Sequence, residues 1–362
     1  IKGGKLTHKA GGKEFVIEKE IKDHTEAIQI VLNELIDGEA GVIRSMDEID
    51  AVGHRVVASG EAFKKTTLVT DEVMQTMEEI AELAPLHNPA AILGVNACRA
   101  VMPGKKMALV FDTSFHQTMP DYAYLYAIDY DDYKTYQVRK YGAHGTSHKF
   151  VSQAAAEYLG KKPEELKIIT CHLGNGSSIS AVDGGKCIDT SMGFTPLAGV
   201  PMGTRSGDID AAAVEFLCRK KGMNIHDGLT YLNKKCGMLG ISGVSSDYRD
   251  LTAAAKEGNY RAQLALNMFS YACKKYVGSY MAALGGLDVI VFTAGVGENT
   301  PHIRAAILKD MEFFGIEIDE EKNNYKNDGA IHVISKDGSR VKVLVIPTNE
   351  ELVIARETAA LL

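Results

Sequence analysis

The run 167–176, KIITCHLGNG, constrains this chain more than any other stretch. Ile168, Ile169, Thr170 and Cys171 form a short apolar, β-branched run that reads as a buried strand. It leads straight into His172, Gly174, Asn175 and Gly176. Two glycines so close allow a tight turn that brings backbone N–H groups near a bound anion. Asp183-Gly184-Gly185 then turns the chain back as a hairpin. The same order recurs at 288–297, where DVIVF enters Thr293-Ala294-Gly295-Val296-Gly297 and a helix. Strand, GxG turn and helix N-terminus are phosphate-binding geometry. Neither turn has the full GxGxxG or GxxxxGK[ST] spacing, so neither a dinucleotide fingerprint nor a P-loop follows. Strands alternating with helices give an α/β class.

At 362 residues the chain suits two domains rather than one core. A net charge of −7 leaves no basic footprint for nucleic acid. No apolar run approaches the roughly 18–20 residues that cross a bilayer, so no membrane partner is expected. The start, IKGGKLTHKAGG, lacks the apolar centre of a signal peptide. Six scattered cysteines include no CxxC, which argues against a zinc site or a disulfide framework. They read as reduced thiols in a cytoplasmic protein.

Several stretches carry candidate chemistry. Residues 14–17 read as an edge strand and 25–36 as an amphipathic helix. Residues 49–57, IDAVGHRVV, read as a buried strand with His54 and Arg55 at its end, and a strand-end arginine is a good anion clamp. A helix is expected over 71–84 with Asp71 at its N-cap. Asn88 is placed to cap the next helix, with Pro89 at its first turn. The strand 106–111 ends in Asp112, at a terminus where open α/β sheets put their chemistry. Residues 130–141 read as a loop or edge segment. Gly142 and Gly145 bracket His144 and free its backbone to present the imidazole, with Ser147 as a cap for the helix that follows. Residues 189–210 form a long glycine- and proline-rich loop around Arg205, and such loops are usually functional. Helices are expected over 211–221, 225–235 and 260–284, with Asp247 as a cap between them, and a last strand over 342–346. The domain break falls between Asp112 and Gly142.

Taken together, these stretches resemble the acetokinase family, of the acetate-and-sugar-kinase, Hsp70 and actin superfamily. The resemblance rests on GHRVV at 53–57, APLHNPA at 84–90, FDTSFHQTMP at 111–120 and YGAHGTSH at 141–148. It continues through TCHLGNGSS at 170–178, MGFTPL at 192–197, MGTRSGDID at 202–210, FTAGVGEN at 292–299 and PTNEEL at 347–352. It implies a two-domain, actin-like (ribonuclease H-like) duplicated α/β fold with mixed sheets flanked by helices and a site in the interdomain cleft. Residues 1–113, with 351–362 packing back, would be the acyl-substrate domain, and 114–350 the nucleotide-binding domain. The implied reaction is ATP + acetate ⇌ ADP + acetyl phosphate, with Mg2+ or Mn2+, in a homodimer that presents the 260–284 helix.

By the same resemblance Arg55 and Arg205 bind the carboxylate and the transferring phosphoryl group, and His144 stabilises that group. Asp112 and Glu350 position the carboxylate or the metal, which falls to Glu350. Val57, Leu86, His87 and Pro196 line the acyl pocket. His172, Leu173, Gly174, Asn175 and Gly176 touch the nucleotide phosphates, and Asp247, Tyr248, Arg249, Gly295, Val296, Gly297 and Asn299 hold the adenosine. Direct phosphoryl transfer needs positioning and cationic stabilisation rather than a nucleophilic side chain, and these residue types supply it.

Three departures stand out. The family opens with a strand and turn of the form N-x-G-S-S-S-x-K, and this chain starts roughly where that element would have passed, so it reads as truncated. Ala58-Ser59 stands where the family usually has His-Gly. Ala143 stands where some members have a larger apolar residue, which would leave room for a longer acyl chain. Propionate- or butyrate-preferring kinases, a pyrophosphate-using kinase and a non-catalytic nucleotide-binding relative are the alternative readings.

Overall fold

The computed structural model describes residues 4–84 and 87–362. The chain forms two compact units, residues 1–114 with 351–362, and residues 115–350.

The first unit opens with a hairpin. β1 (Gly4–Ala10) and β2 (Lys13–Lys19) pair antiparallel from Gly4↔Lys19 to Ala10↔Lys13. The helix His24–Ile36 follows, started by Asp23, whose side chain accepts from Glu26 N. A three-stranded sheet then forms from β3 (Ala51–Val56), β4 (Thr67–Leu68) and β5 (Lys106–Phe111), in the order β3-β5-β4. β3 runs parallel to β5, and β4 antiparallel. The apolar alternation of β5 fills a core of Val56, Met74, Met77, Val95, Leu109 and Phe111 under the helices Asp71–Glu79 and Asn88–Val101. Phe63 stacks on Phe111 at 4.9 Å.

The second unit is a six-stranded sheet made of β6 (Lys167–Leu173), β7 (Ser177–Asp183), β8 (Lys186–Thr190), β9 (Val289–Thr293), β10 (His332–Val333) and β11 (Lys342–Val345). The order is β10-β11-β9-β6-β7-β8, with β11, β9 and β6 mutually parallel and the edges antiparallel. Period-two alternation sends Ile169, Cys171, Leu173, Ile290 and Phe292 to one face, where Phe269, Cys273 and Val277 of the helix Tyr260–Leu284 cover them. Ile168, Val182, Val289 and Val291 take the other face, against Val151, Ala155 and Ala156 of the helix Gly145–Tyr158. The strands are buried on both sides, which is why they read as continuous apolar runs.

Several local expectations are corrected. β3 is an edge strand and only Val56 in it is buried, because its outer neighbour is the helix Glu350–Ala359 rather than another strand: a side chain at Gly53 would collide with Ile354. Thr70, not Asp71, caps its helix, accepting from Val73 N. Asn88 lies inside its helix and is fully buried, and Ser147 likewise lies within the helix Gly145–Tyr158. Residues 130–141 contain a helix, Tyr130–Tyr136, capped by Asp129. All six cysteines are free thiols. Among the described residues no helix is long and apolar enough to cross a membrane.

Candidate active site

In the first unit the candidate residues meet at a strand end. The parallel register sets Arg55 opposite Val110, and Asp112 N donates to Val56 O at 2.8 Å. Arg55 then grips Asp112 through both carboxylate oxygens, Nε to Oδ1 at 2.9 Å and Nη2 to Oδ2 at 2.6 Å. The planar fork of a guanidinium fits a carboxylate in this way. The Asp112 side chain is 1% exposed and that of Arg55 47%, so the anion is buried while the cation reaches solvent.

Ala58 and Ser59, the departure from the family pattern, are locked in place. Asn88 accepts from Ala58 N at 3.3 Å and donates to Ala58 O at 3.0 Å. The buried Ser59 hydroxyl lies 2.7 Å from that of Thr113, the neighbour of Asp112. Val57 and His87 are half-buried, with His87 at the N-cap position of the helix Asn88–Val101. Leu86 lies outside the described residues.

The second unit presents His144 from an unusual backbone. His144 adopts a left-handed conformation, φ 58°, at the start of the helix Gly145–Tyr158. Outliers of this kind persist only where their surroundings hold them. Here His116 Nε2 donates to Ala143 O at 2.9 Å, clamping the preceding peptide. Gly142, at φ 76°, tolerates no side chain, since a Cβ would fall 2.6 Å from Thr190 Cγ2 and 2.7 Å from His116 Cδ2. Burial lowers the pKa of His116 to about 4, so the clamp is a neutral ring.

The imidazole of His144 stacks on His172 at 4.1 Å, and its Nδ1 sits 2.9 Å from Ser178 Oγ. Its Nε2 points the other way, 3.4 Å from where a Cβ on Gly176 would lie, and Arg205 Nη1 is 3.7 Å from that same point. A histidine nitrogen and a guanidinium thus converge on one spot above the Gly174–Gly176 turn. Arg205 also donates to Pro196 O at 3.2 Å, which ties the long loop to the site. No carboxylate pairs with Arg205 among the described residues, and burial lowers its proton affinity.

Ala143 does not border open space. It is 3% exposed and packs on Met192 and Met202, both fully buried, so the expected extra room for an acyl chain is absent at that position.

The nucleotide candidates fall on neighbouring segments of this unit. Gly203 N donates to Asn175 O at 3.0 Å, and a side chain at Gly203 would strike Asn175 Oδ1 and lie 3.3 Å from Ser246 Cβ. Asp247, next to Ser246, caps the helix Tyr248–Lys256 and pairs with the exposed Arg249. The ring of Tyr248 goes into the core instead, T-shaped on Phe269 at 4.9 Å. Across the turn, a Cβ on Gly174 would lie 3.8 Å from the Ala294 methyl. Gly295, Val296, Gly297 and Asn299 sit in a six-residue helix, Ala294–Asn299, not in an open anion turn. Glu298 Oε1 already takes the Ala294 N–H at 2.8 Å, which removes that donor from any phosphate. A Cβ on Gly297 would lie 3.6 Å from Cys171 O of β6, an ordinary contact, while Gly295 and Asn299 face outward.

Glu350 is held by Thr146, whose hydroxyl donates to Oε2 at 2.8 Å. Among the described residues no group of three His, Cys, Asp or Glu side chains could hold a metal alone. One oriented carboxylate suits a small hard cation that keeps waters and takes its other oxygens from phosphates. The residues are therefore compatible with magnesium or manganese arriving with a nucleotide. Thr146, His116, Glu298 and the buried Arg304, which donates to Gly297 O and Glu298 O at 2.8 and 3.0 Å, were not candidates from sequence. Their only sequence signal is that of polar residues inside otherwise apolar helical or strand-end segments.

Comparison with known proteins gives a consistent result. The model of the acetokinase family matches residues 2–356. The acetate kinase of Caldanaerobacter subterraneus is 59% identical over 358 residues, covering 98% of this chain and 89% of that one. The crystal structure of Porphyromonas gingivalis acetate kinase superposes with a TM-score of 0.95 at 47% identity, covering 99% of this chain and 90% of that one. A propionate kinase from Francisella tularensis superposes with a TM-score of 0.92 at 40% identity, covering 100% and 90%.

Proposed function

The chain belongs to the acetokinase family and shares its two-domain, actin-like fold, and from that premise we propose how its own residues carry out the family's reaction. It is a kinase whose acceptor is a carboxylate: ATP and acetate give ADP and acetyl phosphate, reversibly. Acetate is ionised at neutral pH and attacks the γ-phosphorus itself, so no general base is needed. Transfer is direct and in line. Charge then spreads over the equatorial phosphoryl oxygens, and catalysis is positioning plus cationic stabilisation.

His144 Nε2 and Arg205 face the transferring phosphoryl group. Arg55, oriented by Asp112, binds the carboxylate, with Val57, Leu86, His87 and Pro196 around the methyl end. His172, Leu173, Gly174, Asn175 and Gly176 lie along the phosphates. Asp247, Arg249, Gly295, Val296, Gly297 and Asn299 border the adenosine, and Tyr248 contributes through its backbone. Glu350 holds Mg2+ or Mn2+, which when bound neutralises phosphate charge. The protein works in the cytoplasm as a homodimer. The exposed Met268 and Tyr271 on the helix Tyr260–Leu284 form the dimer face, and sedimentation as a monomer at micromolar concentration would remove that reading.

The observation that carries the site is the convergence of His144 Nε2 and Arg205 Nη1 beside Gly176. His144→Ala should lower kcat about 100-fold or more while leaving the thermal midpoint within a few degrees, measured by hydroxamate trapping of acetyl phosphate. Unchanged turnover per folded molecule would remove His144 from the phosphoryl site.

A further inference from the structure

Behind His144 lies a chain of buried polar groups that the reaction described above does not use. Ser178 Oγ stands between two histidines, 2.9 Å from His144 Nδ1 and 2.7 Å from His148 Nε2. His148 Nδ1 in turn lies 2.7 Å from Thr170 Oγ1. Ser178, His148 and Thr170 are each fully buried. They sit on β7, on the first turn of the helix Gly145–Tyr158 and on β6, all on the sheet face that this helix covers.

The hydrogen count couples these groups. A serine hydroxyl has one proton and donates to one of its two nitrogen neighbours, while it accepts from the other. Burial, with His116 and His172 nearby, holds His148 well below its ordinary pKa, so it is a neutral ring with one donor and one acceptor nitrogen. The relay can run in two directions, and Thr170 decides between them: among the described residues its hydroxyl has one partner, His148 Nδ1, so only the direction in which Thr170 donates uses every buried proton. In the first, His148 Nε2–H donates to Ser178, Ser178 donates to His144 Nδ1, and Thr170 donates to His148 Nδ1. A neutral His144 then carries its proton on Nε2, toward Gly176 and Arg205. In the second, Nδ1–H of His144 donates to Ser178, Ser178 donates to His148 Nε2, and His148 Nδ1–H donates to Thr170, whose own buried proton then has no acceptor among the described residues. A neutral His144 is therefore held as the Nε2–H ring, at the expense of the Nδ1–H ring that would turn a lone pair toward an anionic oxygen, and an imidazolium carries a proton on Nε2 in any case.

We propose that Ser178 and His148 are positioning residues for phosphoryl transfer, acting through His144 to keep its Nε2 a hydrogen-bond donor in either protonation state. The ring faced by this relay is flanked by the His172 ring, stacked at 4.1 Å, and by Arg205 across the Gly176 position. His148 is faced by His116 at 5.7 Å and His172 at 6.1 Å. A buried polar chain that is fully satisfied fixes geometry, whereas a half-satisfied one costs stability and order. The proposal rests on His144 being the phosphoryl-facing group.

The test is a double-mutant cycle on the whole protein, read by kcat and by KM for acetate and ATP. Ser178→Ala should lower kcat roughly 10–100-fold with both KM values within about threefold, in the range of a lost general positioning contact. Ser178→Thr, which restores a hydroxyl, should recover most of it. In a His144→Ala background Ser178→Ala should add no further loss, because the serine acts only through that ring. Wild-type kcat in Ser178→Ala, or an equal fractional loss in both backgrounds, overturns the proposal. If His144→Ala alone is fully active, the phosphoryl site itself is misassigned, which is a different failure. Should Ser178→Ala not fold, 15N-histidine NMR of the unmodified protein decides the same point. A neutral His144 protonated on Nε2 is the expected result, and one protonated on Nδ1 overturns it.

Discussion

Arg55 and Arg205 keep a cation ready for an anionic substrate in opposite ways. Arg55 is matched in advance: a buried carboxylate holds its fork at two points, and half of the side chain stays in water. Arg205 is unmatched. It is more deeply set, bonded to a carbonyl and a thioether, with its proton affinity lowered by burial. The first arrangement gives orientation, because a bidentate pair fixes the plane of the guanidinium. The second gives unspent charge, because a desolvated cation without a counterion gains most when an anion arrives. The two sites therefore trade stability against activity differently.

The largest effect should come from breaking the matched pair. Arg55→Ala should cost at least two powers of ten in turnover with acetate. It should also cost about 1–3 kcal/mol of stability by stranding the buried Asp112, a range reduced for the exposure of Arg55. Adding Asp112→Asn should restore stability but not activity, as followed by denaturant unfolding. An Arg55→Ala protein as stable as its parent would mean that the pair does not hold this strand end.

Arg205→Met should sharpen the contrast. Turnover should fall about 100-fold, yet the thermal midpoint should hold or rise, since a buried charge without a carboxylate is replaced by an apolar chain. A midpoint lowered by several degrees would show that Arg205 is structural after all.

A smaller effect separates the two units by acid. His116 titrates near 4 in the folded chain and near 6.5 when unfolded, so the unfolded state binds the proton first. Its contribution is complete above about pH 6.5 and drains away as pH falls toward 4, about 2 kcal/mol by pH 5. His148 adds in the same direction. Urea unfolding at pH 7 and pH 5 should show this loss, and His116→Gln should reduce the difference between the two pH values. A pH-independent midpoint over that window would contradict the neutral clamp on Ala143.

What could be read before the structure was the part governed by period and composition. The strands β5, β6, β9 and β11 are apolar runs because neighbours bury both faces, and the helices Ala211–Lys221 and Tyr260–Leu284 fall where the pattern puts them. The helix Tyr130–Tyr136 was missed because its seven residues, six of them aromatic or charged, show no apolar stripe. Caps slipped by one residue where two polar side chains compete, as Thr70 and Asp71 do. At the site, Arg55, Asp112, His144 and Arg205 were legible as polar residues at strand ends and between glycines. Ser178, His148 and Thr146 were not, because a serine in a strand carries no sign of which ring it will face. Nor does sequence show that Glu298 folds back on Ala294 N and so closes what looked like an open anion turn.

The order of the second sheet has a consequence for the chain as it is made. β6 finds β7 across three residues, but its other neighbour begins far downstream: Lys167 N donates to Asp288 Oδ2, 121 residues away. At ribosomal speeds that interval takes roughly 6–24 s. For that time the centre of the sheet exists as a hairpin with one long apolar edge unpaired, the kind of edge that recruits other chains. β9 and then β11 must emerge before it closes. Pairings of such long sequence separation are slow to form even in a complete chain. Shielding that edge during synthesis is thus a demand made by the strand order and not by any residue of the active site.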